Sequence, residues 1–132
     1  MTPNSNRQLH NAAAWSEYIS EELLSSRSSH NVAFRALIGF NDSLLFAEIN
    51  QITEYCIEPP LPCGDSRYDA AIASIAEYYL TINQLPIPIW IKDPSRTLTE
   101  PWTPSPYYDP EEVHEIFRRH GVLLAMSELT SV

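Results

Sequence analysis

The densest titratable cluster in the chain is Glu111, Glu112, His114, Glu115, Arg118, Arg119 and His120. Carboxylates and imidazoles this close together are the raw material of general acid–base catalysis or of a metal site. On a helix, however, Glu111 would sit beside His114 and Glu115, and Glu115 beside Arg118 and Arg119. Ion pairs three and four residues apart therefore account for the spacing. His114 and His120 fall on different helix faces, and Arg118 stands where the zinc motif H-E-x-x-H places its second histidine. Cys56 and Cys63 flank a proline-rich turn with no C-x-x-C pattern, so no metal is expected there. Their spacing allows a disulfide, whereas a reducing compartment favours two free thiols. There is no G-x-S-x-G, and neither cysteine has a base nearby in sequence. Catalytic residues, metals and cofactors are thus all expected to be none. The alternative is a small enzyme or toxin whose site assembles from Arg96, His114 and an acid distant in sequence.

A second group of residues is suited to recognition. Six prolines (86, 88, 94, 101, 104 and 106) precede Pro110 and interleave with Trp90, Trp102, Tyr107 and Tyr108. Proline fixes φ and removes a donor, so an extended strap over 86–109 is expected instead of a regular helix. Trp, Tyr and Arg are enriched among interface hot spots, and a stiff segment presents them at low ordering cost. Trp90, Arg96, Trp102, Tyr107, Tyr108, Glu111 and Glu112 are therefore the candidate partner-binding residues. In Asp93-Pro94-Ser95-Arg96 the aspartate can accept from the backbone donors that follow, while Arg96 reaches Glu100 or an acid of the helical body.

Charge narrows the choice of partner. The chain has 132 residues with 17 Asp+Glu against 8 Lys+Arg, a formal net charge of −9. The imbalance is even, with seven acids and three bases in residues 1–60 and ten acids and five bases in residues 61–132. Such a chain repels phosphate backbones, and a helix-turn-helix over 36–50 would carry Asp42 and Glu48 with no base, so direct nucleic-acid binding is not expected. No apolar run is long enough to span a bilayer, and Met1–Gln8 is polar where a signal peptide needs an apolar region. The expectation is a cytoplasmic protein without membrane contact. With three glycines against eleven prolines, phosphate-cradling glycine loops are also disfavoured.

The elements that must position these residues follow from apolar period and capping. The pattern predicts a frayed N-terminus over 1–10 and one all-α domain over 11–132, with helices near 11–25, 31–40, 42–57, 66–84 and 110–120. Ala12, Trp15, Tyr18, Ile19 and Leu23 recur at helical spacing, and Gly39–Ser43 reads as a break with Asp42 or Ser43 capping the next helix. The second and third are read as separate helices, with one bent helix as the alternative. Ala71, Ile72, Ile75, Ala76, Tyr79 and Ile82 mark the strongest stripe, and Asp109-Pro110-Glu111-Glu112 opens a helix that Gly121 closes. Trp15, Leu45, Ile49, Ile52, Ile72, Ile75 and Tyr79 are expected in the core.

The words Leu85-Pro86-Ile87-Pro88-Ile89-Trp90, Asp93-Pro94-Ser95-Arg96-x-Leu98, Glu100-Pro101-Trp102 and Phe117-Arg118-Arg119-His120-Gly121-Val122 resemble a mostly actinobacterial family of small accessory proteins. Its pattern is P-x-W-x-x-D-P-x-R-x-L-x-x-P-W followed by F-R-R-x-G-[IV], and the resemblance spans roughly 65–129. His120 departs from it by standing where arginine is more usual. The resemblance implies an antitoxin-like bacterial neutraliser of a partner protein, such as a toxin encoded by a neighbouring gene, and names no catalytic residue.

Overall fold

The computed structural model describes residues 9–25, 29–105 and 109–130 of the chain. Five α-helices run in the order α1 (Ala12–Leu24), α2 (Ser29–Leu45), α3 (Ile49–Ile57), α4 (Ser66–Ile82) and α5 (Glu115–His120), and the described residues contain no β-strand. The fold is all-α, and α4 is its axis. Its small residues Ala70, Ala71, Ala73, Ser74 and Ala76 are buried, as are Ile72, Ile75 and Leu80, so neighbours approach it closely on several sides. α1, α2, α3 and α5 all pack on it, as do two 3-10 turns at Ile89–Lys92 and Pro94–Arg96. No helix of the described residues is long and apolar enough to cross a membrane.

Helix starts follow capping chemistry. Asn11 accepts from Ala14 N at 2.7 Å, Asp65 from Arg67 N at 2.9 Å, and His114 Nδ1 from Ile116 N at 3.1 Å. At α3 the Gln51 side chain reaches back to Glu48 N at 2.9 Å. Gly121 closes α5 at φ +80°, and Val122 N bonds Phe117 O at 2.9 Å behind it.

Two expected boundaries move. α2 runs straight through Gly39–Ser43 and ends at Leu45, and a turn at 46–48 separates it from α3. Gly39 is in mid-helix because the Trp15 ring lies against it: a β-carbon there would stand 2.3 Å from Trp15 Cη2. Ser43 is an interior residue whose hydroxyl accepts from Trp15 Nε1 at 3.0 Å and lies 3.1 Å from each of the Gly39 and Leu9 carbonyls. Leu45 and Ile49 therefore end and begin helices at a corner and are 47% and 58% exposed, not core. Ile52, Ile72, Ile75 and Tyr79 are buried, and Trp15 is half-buried against the core.

The expected 110–120 helix is also divided. Pro110–Glu112 forms a 3-10 turn capped by Asp109, Val113 turns into the core, and α5 starts afresh after His114. Leu9 and His10, at the edge of the expected frayed end, are held: His10 stacks on Tyr55 at 5.4 Å between ring centroids.

Candidate functional site: a proline-rich segment latched onto a buried ionic cluster

Over its described residues, 86–105, the proline-rich segment has no α-helix but is not simply an extended strap: it folds into the 3-10 turns at Ile89–Lys92 and Pro94–Arg96 and is held to the helical body. Its first anchor is Trp90, 7% exposed, whose indole N–H donates to Cys56 O at the end of α3 at 2.8 Å. Asp93 then accepts from Ser95 N and Oγ at 2.9 and 2.7 Å, which holds its carboxyl below the ordinary aspartate range and tightens the turn that aims Arg96 inward.

Arg96 is 5% exposed. Its guanidinium donates to Pro60 O at 2.8 Å and Asp69 O at 3.2 Å, sits 3.7 Å from Asp69 Oδ1 and lies 5.0 Å from the centre of the Trp90 ring. An acid of the helical body is thus its carboxylate partner, and Glu100 is exposed. The fork is spent mainly on backbone carbonyls, however, and Asp69 also accepts from Cys63 N at 2.9 Å. Further along, Leu98 N bonds His120 O, Trp102 N bonds Gly121 O and Leu123 N bonds Trp102 O, all at 2.8–2.9 Å, zipping the segment to the residues after α5.

The cluster the sequence did not reveal is Glu77 with His120, 3% and 4% exposed. Glu77 Oε1 lies 2.7 Å from His120 Nε2, and Arg96 O lies 2.7 Å from His120 Nδ1. Both partners are acceptors, so the ring satisfies both only with a hydrogen on each nitrogen, as the imidazolium. Arg119 Nη2 and Lys92 Nζ approach Glu77 Oε2 at 3.1 and 3.9 Å from the surface. Burial pushes the Glu77 carboxyl upward, but the His120 hydrogen bond and the charges of His120 and Arg119 outweigh it and leave it below the ordinary glutamate value. With both ring nitrogens bonded and the ring enclosed, His120 clamps α4, α5 and the segment together.

The surface pairs expected along 111–120 do not form in that way. Arg119 goes to Glu77, and Arg118 Nη2 donates to Pro110 O. Arg96 and His114 are not brought together by any shared partner: His114 is exposed and caps α5, with its ring edge-on to Tyr78 at 5.1 Å.

Of the candidate recognition residues, Trp90 and Arg96 are buried anchors. Trp102 is half-buried, edge-on to Tyr68 at 5.1 Å, with the Arg67 guanidinium 5.4 Å above its ring. Glu111 and Glu112 are exposed, and Tyr107 and Tyr108 lie outside the described residues. Cys56 and Cys63 are both free and buried, and burial pushes each thiol up to about 12. Among the described residues, no three His, Cys, Asp or Glu side chains gather as metal ligands, and no buried side-chain nitrogen or oxygen lacks a hydrogen bond.

Two open grooves flank this region. One of about 540 Å³ runs between the start of α4 and the segment, over Arg67, Ser95, Thr97, Glu100 and Trp102. The other, about 520 Å³, lies between α1 and residues 58–62. Comparison of the chain with protein-family models, curated proteins and solved structures returned no match.

Proposed function

We propose that this chain is a non-catalytic, acidic protein-binding module, antitoxin-like in that it neutralises a partner protein, such as a toxin encoded by a neighbouring gene. One observation carries the reading. Large apolar side chains stand exposed on a chain of net charge −9, among them Phe46 at 80%, Leu61 at 82% and Ile89 at 88%, while the ionisable groups that could form a reaction centre are spent on holding the fold. Exposed apolar side chains that form a contiguous patch mark protein contact surfaces. The surface offered by the described part of the segment, 86–105, is its outer edge, since Trp90 and Arg96 are turned inward.

The test is affinity capture of the tagged full chain co-expressed with its neighbouring gene product, followed by calorimetry on the purified pair. A stoichiometric complex that suppresses the partner's toxicity is expected. No saturable complex with any captured protein would overturn the reading.

A further inference from the structure

We infer that the partner-binding surface is the seam where residues 89–96 meet the chain between α3 and α4, and that it takes a basic segment carrying apolar residues; this rests on the protein-binding reading above.

The seam is fixed by two hydrogen bonds already described, Trp90 Nε1 to Cys56 O and Arg96 Nη2 to Pro60 O. Each bonded residue except Arg96 has a large apolar neighbour in sequence that is exposed: Ile57 beside Cys56 at 60%, Leu61 beside Pro60 at 82%, and Ile89 beside Trp90 at 88%. The two bonds therefore tie together the two stretches of chain that carry these three exposed aliphatic side chains. The groove of about 520 Å³ opens beside Leu61, lined by Glu58, Pro59, Leu61 and Pro62 on one side and by α1 residues including Glu17 and Ser20 on the other.

Charge complementarity identifies the occupant. Glu17 and Glu58 are exposed and line the groove, and from Ala36 to Ser66 the chain holds five acids and no lysine or arginine, while Lys92, the base on the other side of the seam, lies 3.9 Å from Glu77. A second copy of the chain would bring like charge, whereas a basic segment meets the rim and seats its apolar residues on Ile57, Leu61 and Ile89. The backbone favours side-chain recognition as well. Pro59, Pro60 and Pro62 have no amide to donate, so an incoming strand cannot pair along 58–62. The same prolines, with Leu61 O accepting from Ser16 Oγ at 2.8 Å, hold the surface rigid before contact.

The probe is a synthetic amphipathic Leu/Lys peptide, titrated into the ¹⁵N-labelled full chain, with a Leu/Glu peptide as its counterpart. Expected are saturable shifts confined to 54–62, 89–93 and the facing residues of α1, with no binding of the acidic peptide. Leu61→Ser with Ile89→Ser should weaken the Leu/Lys peptide at least tenfold. Glu58→Gln should weaken it a few-fold and flatten its salt dependence, while Glu21→Gln on α1 should change it far less. Shifts spread over the other acidic faces, an unchanged affinity in the double variant, or no binding of the Leu/Lys peptide would each overturn the surface. So would concentration-dependent self-association through the same residues. All of these leave the protein-binding reading standing, because that reading falls only if capture yields no saturable complex.

Discussion

Glu77 is the side chain on which the latch depends most. Replacing it with alanine leaves the His120 imidazolium, 4% exposed, without its counterion and without an acceptor for Nε2. Removing one partner of a buried, hydrogen-bonded ion pair costs ~3–5 kcal/mol, and the half-exposed Arg119 and Lys92 add little because solvent screens them. Glu77→Gln keeps an acceptor and removes only the charge, so its cost should be ~1–3 kcal/mol, the range for an impaired buried hydrogen bond. At roughly 3–5 °C per kcal/mol for a chain of this size, the alanine variant should melt about 10–25 °C lower. Urea unfolding followed by tryptophan fluorescence reads the effect, since Trp90 and Trp102 both ride on the latched segment. The pH profile supplies a second, independent signature. The Glu77 carboxyl is held below its ordinary value in the folded chain, so its contribution is present above the unfolded glutamate range and lost as pH falls through the lower folded value. Wild type should lose stability over that acid window, and Glu77→Gln should lose less of it. A glutamine variant with wild-type stability and an unchanged acid limb would refute the latch.

Three further outcomes follow from other contacts. Arg96→Lys keeps the charge but cannot donate to Pro60 O and Asp69 O while lying on Trp90, so it should cost ~1–3 kcal/mol and red-shift the tryptophan emission; equal melting and emission would contradict this. Gly39→Ala should destabilise by ~1–3 kcal/mol in thermal melts although alanine is the better helix former by ~1 kcal/mol, because the new methyl meets the Trp15 ring. Cys56 and Cys63, with thiols near 12, should react with a disulfide reagent at pH 8 only at the rate at which the fold opens, and fast labelling of the native chain would show that they are accessible.

What could be read from sequence was whatever is local. α1 and α4 were legible because their apolar period is long, and the end of α5 because Gly121 acts within a turn of it, whereas the caps Asn11 and Asp65 carry no signal beyond their residue type. Gly39 and Ser43 misled because their roles are set by Trp15, more than twenty residues away, so that a breaker and a cap turned out to be a contact site and an indole acceptor. Asp109-Pro110-Glu111 carries a sound helix start, but a 3-10 turn satisfies it equally, and burying Val113 then outweighs continuing the helix. Asp93 and Arg96 were half legible: the turn is local, whereas Asp69 and Pro60 are distant in sequence. Glu77 and His120 were not legible at all. They are 43 residues apart, and in sequence His120 stands out only as a member of the 111–120 titratable cluster. The exposed trio Ile57, Leu61 and Ile89 was hidden for the same reason, since only the fold brings residues from either side of α4 to one seam.

Hydrogen–deuterium exchange on the isolated full chain and on its complex with the captured partner tests the central claim most directly. Contact at the seam requires new protection of the backbone amides at 56–58 and 89–93, with the exposed outer face of α1 near Glu21 unchanged. Protection confined to other faces, or identical exchange in the complex and the free chain, would contradict it.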